Sequence, residues 1–218
     1  MSNRITVDTQ SVPHLIHQAY MAGGPYQWVR EGLVNALQAE ATWVKFGIEK
    51  SGIKSRGVRR RYIADNGYGM HRDDVDSFLA KFGGGGRPIS DHENFGQGFK
   101  ASCFEWNPFG IIVLTWTRDE PEGTMVWIAT EDENAGGPRN WIMEEFQVFE
   151  KNEQGEEILS SIEYKVAPDR EVLSRVGIDL DEVHFPEIRE ANQGTVFIFL
   201  GDHEYRDTAN GDYLRGNE

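Results

Sequence analysis

From residue 105 onward the chain passes from strand to strand almost without helical interruption, and that succession limits the fold more than any other feature. Residues 111–117, 124–130, 141–150, 158–166 and 195–200 are rich in Val, Ile, Phe, Trp and Thr, which suit a pleated, half-buried surface. Glu120-Pro121-Glu122-Gly123 and Asn152-Glu153-Gln154-Gly155 supply turn chemistry that joins neighbours as hairpins. A short helix is expected only over 170–176. A doubly wound fold needs a helix between successive strands, so it does not fit. The expected class is α+β: a two-layer sandwich of a mixed, mostly antiparallel sheet with helices on one face.

The first hundred residues carry the helices. A short helix is expected over 12–20, ended by Gly23-Gly24-Pro25, and a long one over 26–46, with Pro25 at its start and Gly47 at its end. On that helix Glu31 and Asn35 stand four residues apart and project together, with Gln38 and Thr42 continuing the polar stripe. Val29, Leu33, Ala36 and Leu37 form the side expected to pack. Residues 51–57 read as a turn and 58–64 as a strand that stops at Asp65. Asn66-Gly67-Tyr68-Gly69 then forces a tight loop. A helix follows from Asp73 to about Phe82. Residues 82–95 include four consecutive glycines and few apolar anchors, a length typical of a lid. Gly96-Gln97-Gly98-Phe99-Lys100 reads as a loop feeding a helix. The divisions expected are an N-terminal extension over 1–24, a domain over 25–201 and a frayed polar tail or linker over 202–218.

Composition narrows the function. There is no run of 18 apolar residues for a membrane span. Met1-Ser2-Asn3-Arg4-Ile5-Thr6 lacks the apolar core of a signal peptide, so a cytoplasmic location is expected. Cys103 is the single cysteine, which excludes an internal disulfide or a cysteine zinc site. His14 and His17 stand three apart without a further ligand cluster and suit a surface helix better than a metal. A formal net charge of −14 repels phosphate backbones, so direct nucleic-acid binding is not expected. The basic run Arg56, Arg59, Arg60 and Arg61 is read as the solvent edge of a strand, with a phosphate or partner contact as the alternative.

Each motif suits part of a nucleotide. A carboxylate beside a carboxamide on one helix face can orient a water and complete the shell of an oxygen-preferring cation. Asp65 at a strand end can accept a hydrogen bond from an exocyclic amine. Gly67 and Gly69 let a flat ring approach the backbone, and Met70 offers a soft wall. Gly96-Gln97-Gly98 at a helix start can turn backbone N–H groups toward an anion, and Lys100 adds a positive charge. No Gly-x₄-Gly-Lys-Ser/Thr P-loop occurs.

In order and at this spacing the motifs resemble the GHKL ATPase superfamily of gyrase B, the ninety-kilodalton heat-shock chaperone, histidine kinases and MutL. The wording Asp-Asn-Gly-x-Gly-Met with Phe-Gly-x-Gly-Phe-Lys is closest to the microrchidia (MORC)-like branch. Glu-x-x-x-Asn is matched by Glu31 and Asn35, Asp-x-Gly-x-Gly by Asp65, Gly67 and Gly69, the lid's Gly-x-Gly by Gly96-Gln97-Gly98, and the late Gly-Thr by Gly194-Thr195. The resemblance implies a Bergerat ATP-binding fold and a Mg²⁺-dependent ATPase, slow in isolation. Its lid would close over the phosphates, and closure would be coupled to homodimerisation or a downstream transducer domain. Glu31 would polarise the attacking water and Asn35 would bind Mg²⁺. Asp65 and Thr195 would hold adenine. The nucleotide-binding set would also include Gln38, Ala39, Gly67, Gly69, Met70, Gly96, Gln97, Gly98, Phe99 and Lys100. Many relatives carry an aspartate where this chain has Gln38. A nucleotide switch without hydrolysis and a protein phosphotransferase of the histidine-kinase or anti-sigma type are the alternatives.

Overall fold

A computed structural model describes residues 17–18, 20–24, 26–79, 97–130, 141–152 and 154–209. In chain order the elements are α1 (Gln27–Gln38), β1 (Val44–Glu49), α2 (Ser51–Arg56), β2 (Arg60–Asp65), α3 (Val75–Leu79) and α4 (Gln97–Cys103). There follow β3 (Gly110–Thr117), β4 (Glu120–Thr130), β5 (Trp141–Met143), β6 (Phe146–Lys151), β7 (Glu157–Glu163), α5 (Arg170–Arg175), α6 (Leu180–Val183), α7 (Pro186–Ala191) and β8 (Gly194–Gly201). Six strands form one sheet in the order β1-β2-β8-β3-β4-β5, while β6 and β7 make a separate two-stranded sheet. The class is α+β, as expected. Every pairing of the named strands is antiparallel, so the sheet is not mixed.

The helices are not confined to one face. All eight residues of the central strand β3 are buried, which an antiparallel strand reaches only when both of its faces are covered. On one face Ile63, Ile111, Val113, Val126, Ile128 and Phe199 pack against Trp28 of α1, Val75 and Leu79 of α3, and Phe99 and Cys103 of α4. On the other, Tyr62, Ala64, Ile112, Leu114, Val196 and Ile198 meet Leu173 of α5, Val183 of α6 and Ile188 of α7. The result is three layers rather than two. Short helices suffice for the third because their ends are fixed locally. Asp169 and Asp179 accept N–H bonds from Glu171 and Asp181, Pro186 opens α7, and Asn192 closes it in the left-handed conformation.

The long helix expected over 26–46 ends at Gln38. Glu40 takes φ +58, and Ala41 N–H reaches back to Ala36 O at 2.9 Å while Glu40 N–H meets Leu37 O at 3.1 Å. This is a Schellman stop with glutamate where glycine is usual. The apolar residues beyond it form β1, in register with β2 from Val44↔Asp65 to Glu49↔Arg60. Residues 51–57, expected as a turn, include the helix α2, closed by Gly57 at φ +74. The packing side of α1 also differs from expectation. Trp28, Gly32 and Ala36 are buried, whereas Leu33 and Leu37 are exposed. Trp28 lies edge-on to Phe46, Trp106 and Phe199 with centroids 5.5–6.0 Å apart, and so large a knob sets the helix rotation.

Arg60, and in part Arg56 and Arg61, are internal structure, whereas Arg59 is exposed as a solvent edge would be. Arg60 is fully buried and donates to Val176 O at 2.5 Å and Glu204 O at 2.7 Å. Arg56 donates to Arg175 O and to Glu204 Oε2. These guanidiniums therefore satisfy the free carbonyls at the end of α5. They also dock the first part of the tail expected to fray from Asp202. Thr208 is buried, its hydroxyl donates to Phe199 O and accepts from Arg61 N–H, and Ala209 N–H meets Arg59 O. No helix among the described residues is long and apolar enough to cross a membrane.

Candidate functional site

The helix-covered face that carries α1, α3 and α4 changes from apolar to polar at one end of the sheet. Register places Ile63, Phe197 and Val113 side by side, and two residues further along each strand Asp65, Thr195 and Thr115 side by side. Side chains two apart on a strand share a face, so the second row continues the first as polar groups. An open cleft of about 550 Å³, mouth included, lies over this row. Its lining is Asn35, Ala39, Asp65, Tyr68, Gly69, Met70, Phe78, Leu79, Phe99, Lys100, Thr195 and Phe197. Apolar walls around a few convergent polar groups are the usual build of a small-molecule site.

Asp65 is 6% exposed and its Oδ1 accepts the Gly67 N–H at 2.9 Å. Burial pushes its carboxyl up to about 6, with the Gly67 N–H opposing the shift. Lys100 is buried on α4, and burial lowers its ammonium to about 8. Desolvation is the largest cause of both shifts. Thr195 stands across from Asp65, with its Oγ1 3.5 Å from Thr115 Oγ1. Thr115 in turn accepts the Met70 N–H at 2.8 Å, which fixes the loop over the polar row.

That loop needs its second glycine. Gly69 has φ +73, and a β-carbon there would lie 2.0 Å from Trp116 O. The loop is held from the other side by Asn66, whose Oδ1 accepts the Thr42 and Trp43 N–H groups at 3.0 and 2.8 Å, and Tyr68 N–H meets Ala39 O at 3.0 Å. The start of β1 and the cleft loop are thereby locked together.

Glu31 lies at the border of the cleft and not in its lining. Its carboxylate packs on the first turn of α4, where a β-carbon on Gly98 would come within 2.3 Å of Oε2. The side chain is 14% exposed and pairs with Arg30 at 2.5 Å. Asn35, one turn along α1, does line the cleft. Its carboxamide is an oxygen donor suited to Mg²⁺, and among the described residues no group of three or more His, Cys, Asp or Glu gathers elsewhere.

Of the residues expected from sequence, Asn35, Ala39, Asp65, Gly69, Met70, Phe99, Lys100 and Thr195 meet in the cleft. Gly67 holds Asp65 from beside it, and Glu31 and Gly98 sit at the border. Gln38 is exposed at the end of α1 and does not line the cleft. Gly96 and most of the expected lid lie outside the described residues, as does the side chain of Gln97. Sequence reasoning missed Tyr68, Phe78, Leu79, Phe197 and Thr115. Phe197 carried a usable signal, since it lies two residues beyond Thr195 on the same strand. Thr115 carried none until the strand order was known. No family model and no curated protein matches the chain.

Proposed function

We propose that the cleft binds an adenine nucleotide and that the chain is a Mg²⁺-dependent ATPase domain of the Bergerat type. The observation that carries this reading is Asp65, buried and opposite Thr195 at the floor of an apolar-walled cleft. A desolvated carboxylate bound at one oxygen to Gly67 N–H is an acceptor for an exocyclic amine, and Thr195 adds a hydroxyl beside it. Met70, Phe78, Phe99 and Phe197 suit the faces and edge of a purine. Asn35 would hold Mg²⁺, with phosphate and water completing the shell. The ion supplies charge neutralisation at the phosphates. Lys100 adds positive charge on the same wall, and Glu31, one turn from Asn35, is the candidate to orient and deprotonate the attacking water.

Calorimetric titration tests binding. ATP binds in preference to GTP, and Asp65→Asn weakens ATP by about 1–3 kcal/mol; unchanged affinity in that variant removes the adenine assignment. Phosphate release tests turnover. Glu31→Gln lowers it by about 10²–10⁴-fold, and equal rates exclude Glu31 as the base. A second reading, binding without appreciable hydrolysis, draws support from the Arg30 pairing that engages the Glu31 carboxylate. Intact nucleotide after prolonged incubation of wild type with ATP, restored to turnover in Arg30→Ala, selects it.

A further inference from the structure

Away from the cleft, the β6–β7 hairpin leaves a row of large apolar side chains exposed. Gln147↔Ile162 and Phe149↔Leu159 are register partners on either side of a bulge, so Phe149, Leu159 and Ile162 share one face, and Tyr164 follows just past the end of β7. They are 47%, 51%, 53% and 50% exposed. The opposite face is covered near the hairpin's base, where Phe146 is buried and Val148 partly buried against the α5–α7 core, while Ile158 farther along is 49% exposed. The hairpin is also fixed at its base. Arg72 donates to Glu163 Oε2 at 2.5 Å and to Lys165 O, and Met125 and Val166 form a bridge. A pair of strands would be marginal alone, yet here it is held firm with one apolar face open. Contiguous exposed apolar rows of this kind mark interaction sites, and a pre-ordered one loses little entropy on binding.

Charge selects the occupant. By register Glu157 and Lys151 lie on the face of the row, Glu145 and Glu156 are exposed beside it, and Lys151 is the one exposed basic residue among the hairpin's described positions. A second copy would bring the same acidic border against itself, which is unfavourable. A strand added at either edge of the pair would leave the row uncovered, because the row lies on the face. The geometry points to a docking site for an amphipathic helix of a partner protein, with an apolar stripe flanked by Lys and Arg. A helix of about 12–14 residues spans the roughly 20 Å length of β6, and basic flanks meet the acidic border.

The inference is independent of what occupies the cleft and is tested without nucleotide. A fluorescein-labelled helical peptide of about 14 residues, with Leu at i, i+3, i+4 and i+7 and Lys elsewhere, is titrated onto the full chain by anisotropy. A second peptide keeps the Leu stripe and replaces Lys by Glu. The Lys peptide binds at least about tenfold more tightly than the Glu peptide. The double variant Phe149→Ser/Ile162→Ser, which changes exposed positions only, lowers Lys-peptide affinity at least about tenfold while circular dichroism stays unchanged. Glu156→Lys/Glu157→Lys reverses the charge preference. Equal binding of the two peptides, or binding insensitive to Phe149→Ser/Ile162→Ser, overturns the proposal. So does a dimer in sedimentation velocity that the same double variant dissociates, since the occupant is then a second copy. A gain of about tenfold or more in peptide affinity on deleting residues 1–16 overturns it as well, because the chain's own segment then covers the row.

Discussion

The six-stranded sheet and the β6–β7 pair are built from similar residues, yet one is covered on both faces and the other on one. In the large sheet β3 buries every residue, and helices from both ends of the chain close over it. In the hairpin Phe146 is buried while Phe149, Leu159 and Ile162 on the opposite face remain about half exposed. Apolar content alone therefore does not identify a core strand. Whether a helix arrives to cover the second face decides it, and that is settled by chain segments far away in sequence.

The largest expected consequence is in stability. Leu173 is fully buried where α5 meets the large sheet, and Leu173→Ala costs about 2–5 kcal/mol through lost transfer and a cavity. Ile162→Ala on the open hairpin face changes stability by no more than about 0.5 kcal/mol. Chemical denaturation of both variants checks the contrast. Equal losses mean that the hairpin face is covered in solution, and the distinction fails.

The second consequence concerns the polar end of the large sheet. Asp65 has its carboxyl raised from 3.8 to about 6 by burial. Between those values the native state holds more protons than the unfolded chain, so stability falls as pH rises through this window and the deficit is complete above about 6. A shift of that size corresponds to about 2–3 kcal/mol. In Asp65→Asn the carboxamide oxygen still accepts the Gly67 N–H, though more weakly than a carboxylate, and the buried charge is gone. The substitution therefore stabilises the fold at pH 8 by up to about that amount while weakening adenine binding. Thermal melts from pH 4 to pH 8 read the effect, with the difference between wild type and variant shrinking toward acid. A variant less stable at pH 8 means that Asp65 has a charge partner in the fold. Such a site trades stability for a prepared acceptor, whereas the hairpin's open face carries no such ionisation penalty.

The same contrast explains what could be read from the sequence. Local chemistry was legible. Asp65, Gly69, Met70, Lys100 and Thr195 were placed at loop and strand ends by their own neighbours, and all line one cleft. What depended on distant pairing was not. Residues 44–46 suit a helix until β2 supplies a strand to pair with, and Glu40 stops α1 in a conformation usually reserved for glycine. The third layer escaped notice because α6 and α7 are four and six residues long, too short for periodicity to register. Arg60 read as surface because nothing nearby in sequence announces Val176 O and Glu204 O as its acceptors.

The two regions are joined by Arg72, and the smallest expected effect tests that joint. Its backbone N–H meets Glu120 Oε2 at 2.8 Å directly after the cleft loop, while its guanidinium reaches Glu163 and Lys165 O below the hairpin. Asp76 of α3, whose Leu79 lines the cleft, pairs with Lys165 at 3.0 Å. Arg72 is about one-third exposed, which limits its contribution to global stability. Removing the side chain leaves the large sheet intact and loosens only the hairpin's base. Arg72→Ala should thus lower the opening free energy of β6–β7 amides by about 1 kcal/mol in hydrogen exchange, leaving β3 and β8 protection unchanged. If β3 and β8 lose protection equally, hairpin and sheet open as one cooperative unit. If neither changes, Met125–Val166 and the buried Phe146 suffice to hold the hairpin, and the cleft loop has no mechanical hold on the apolar row through Arg72.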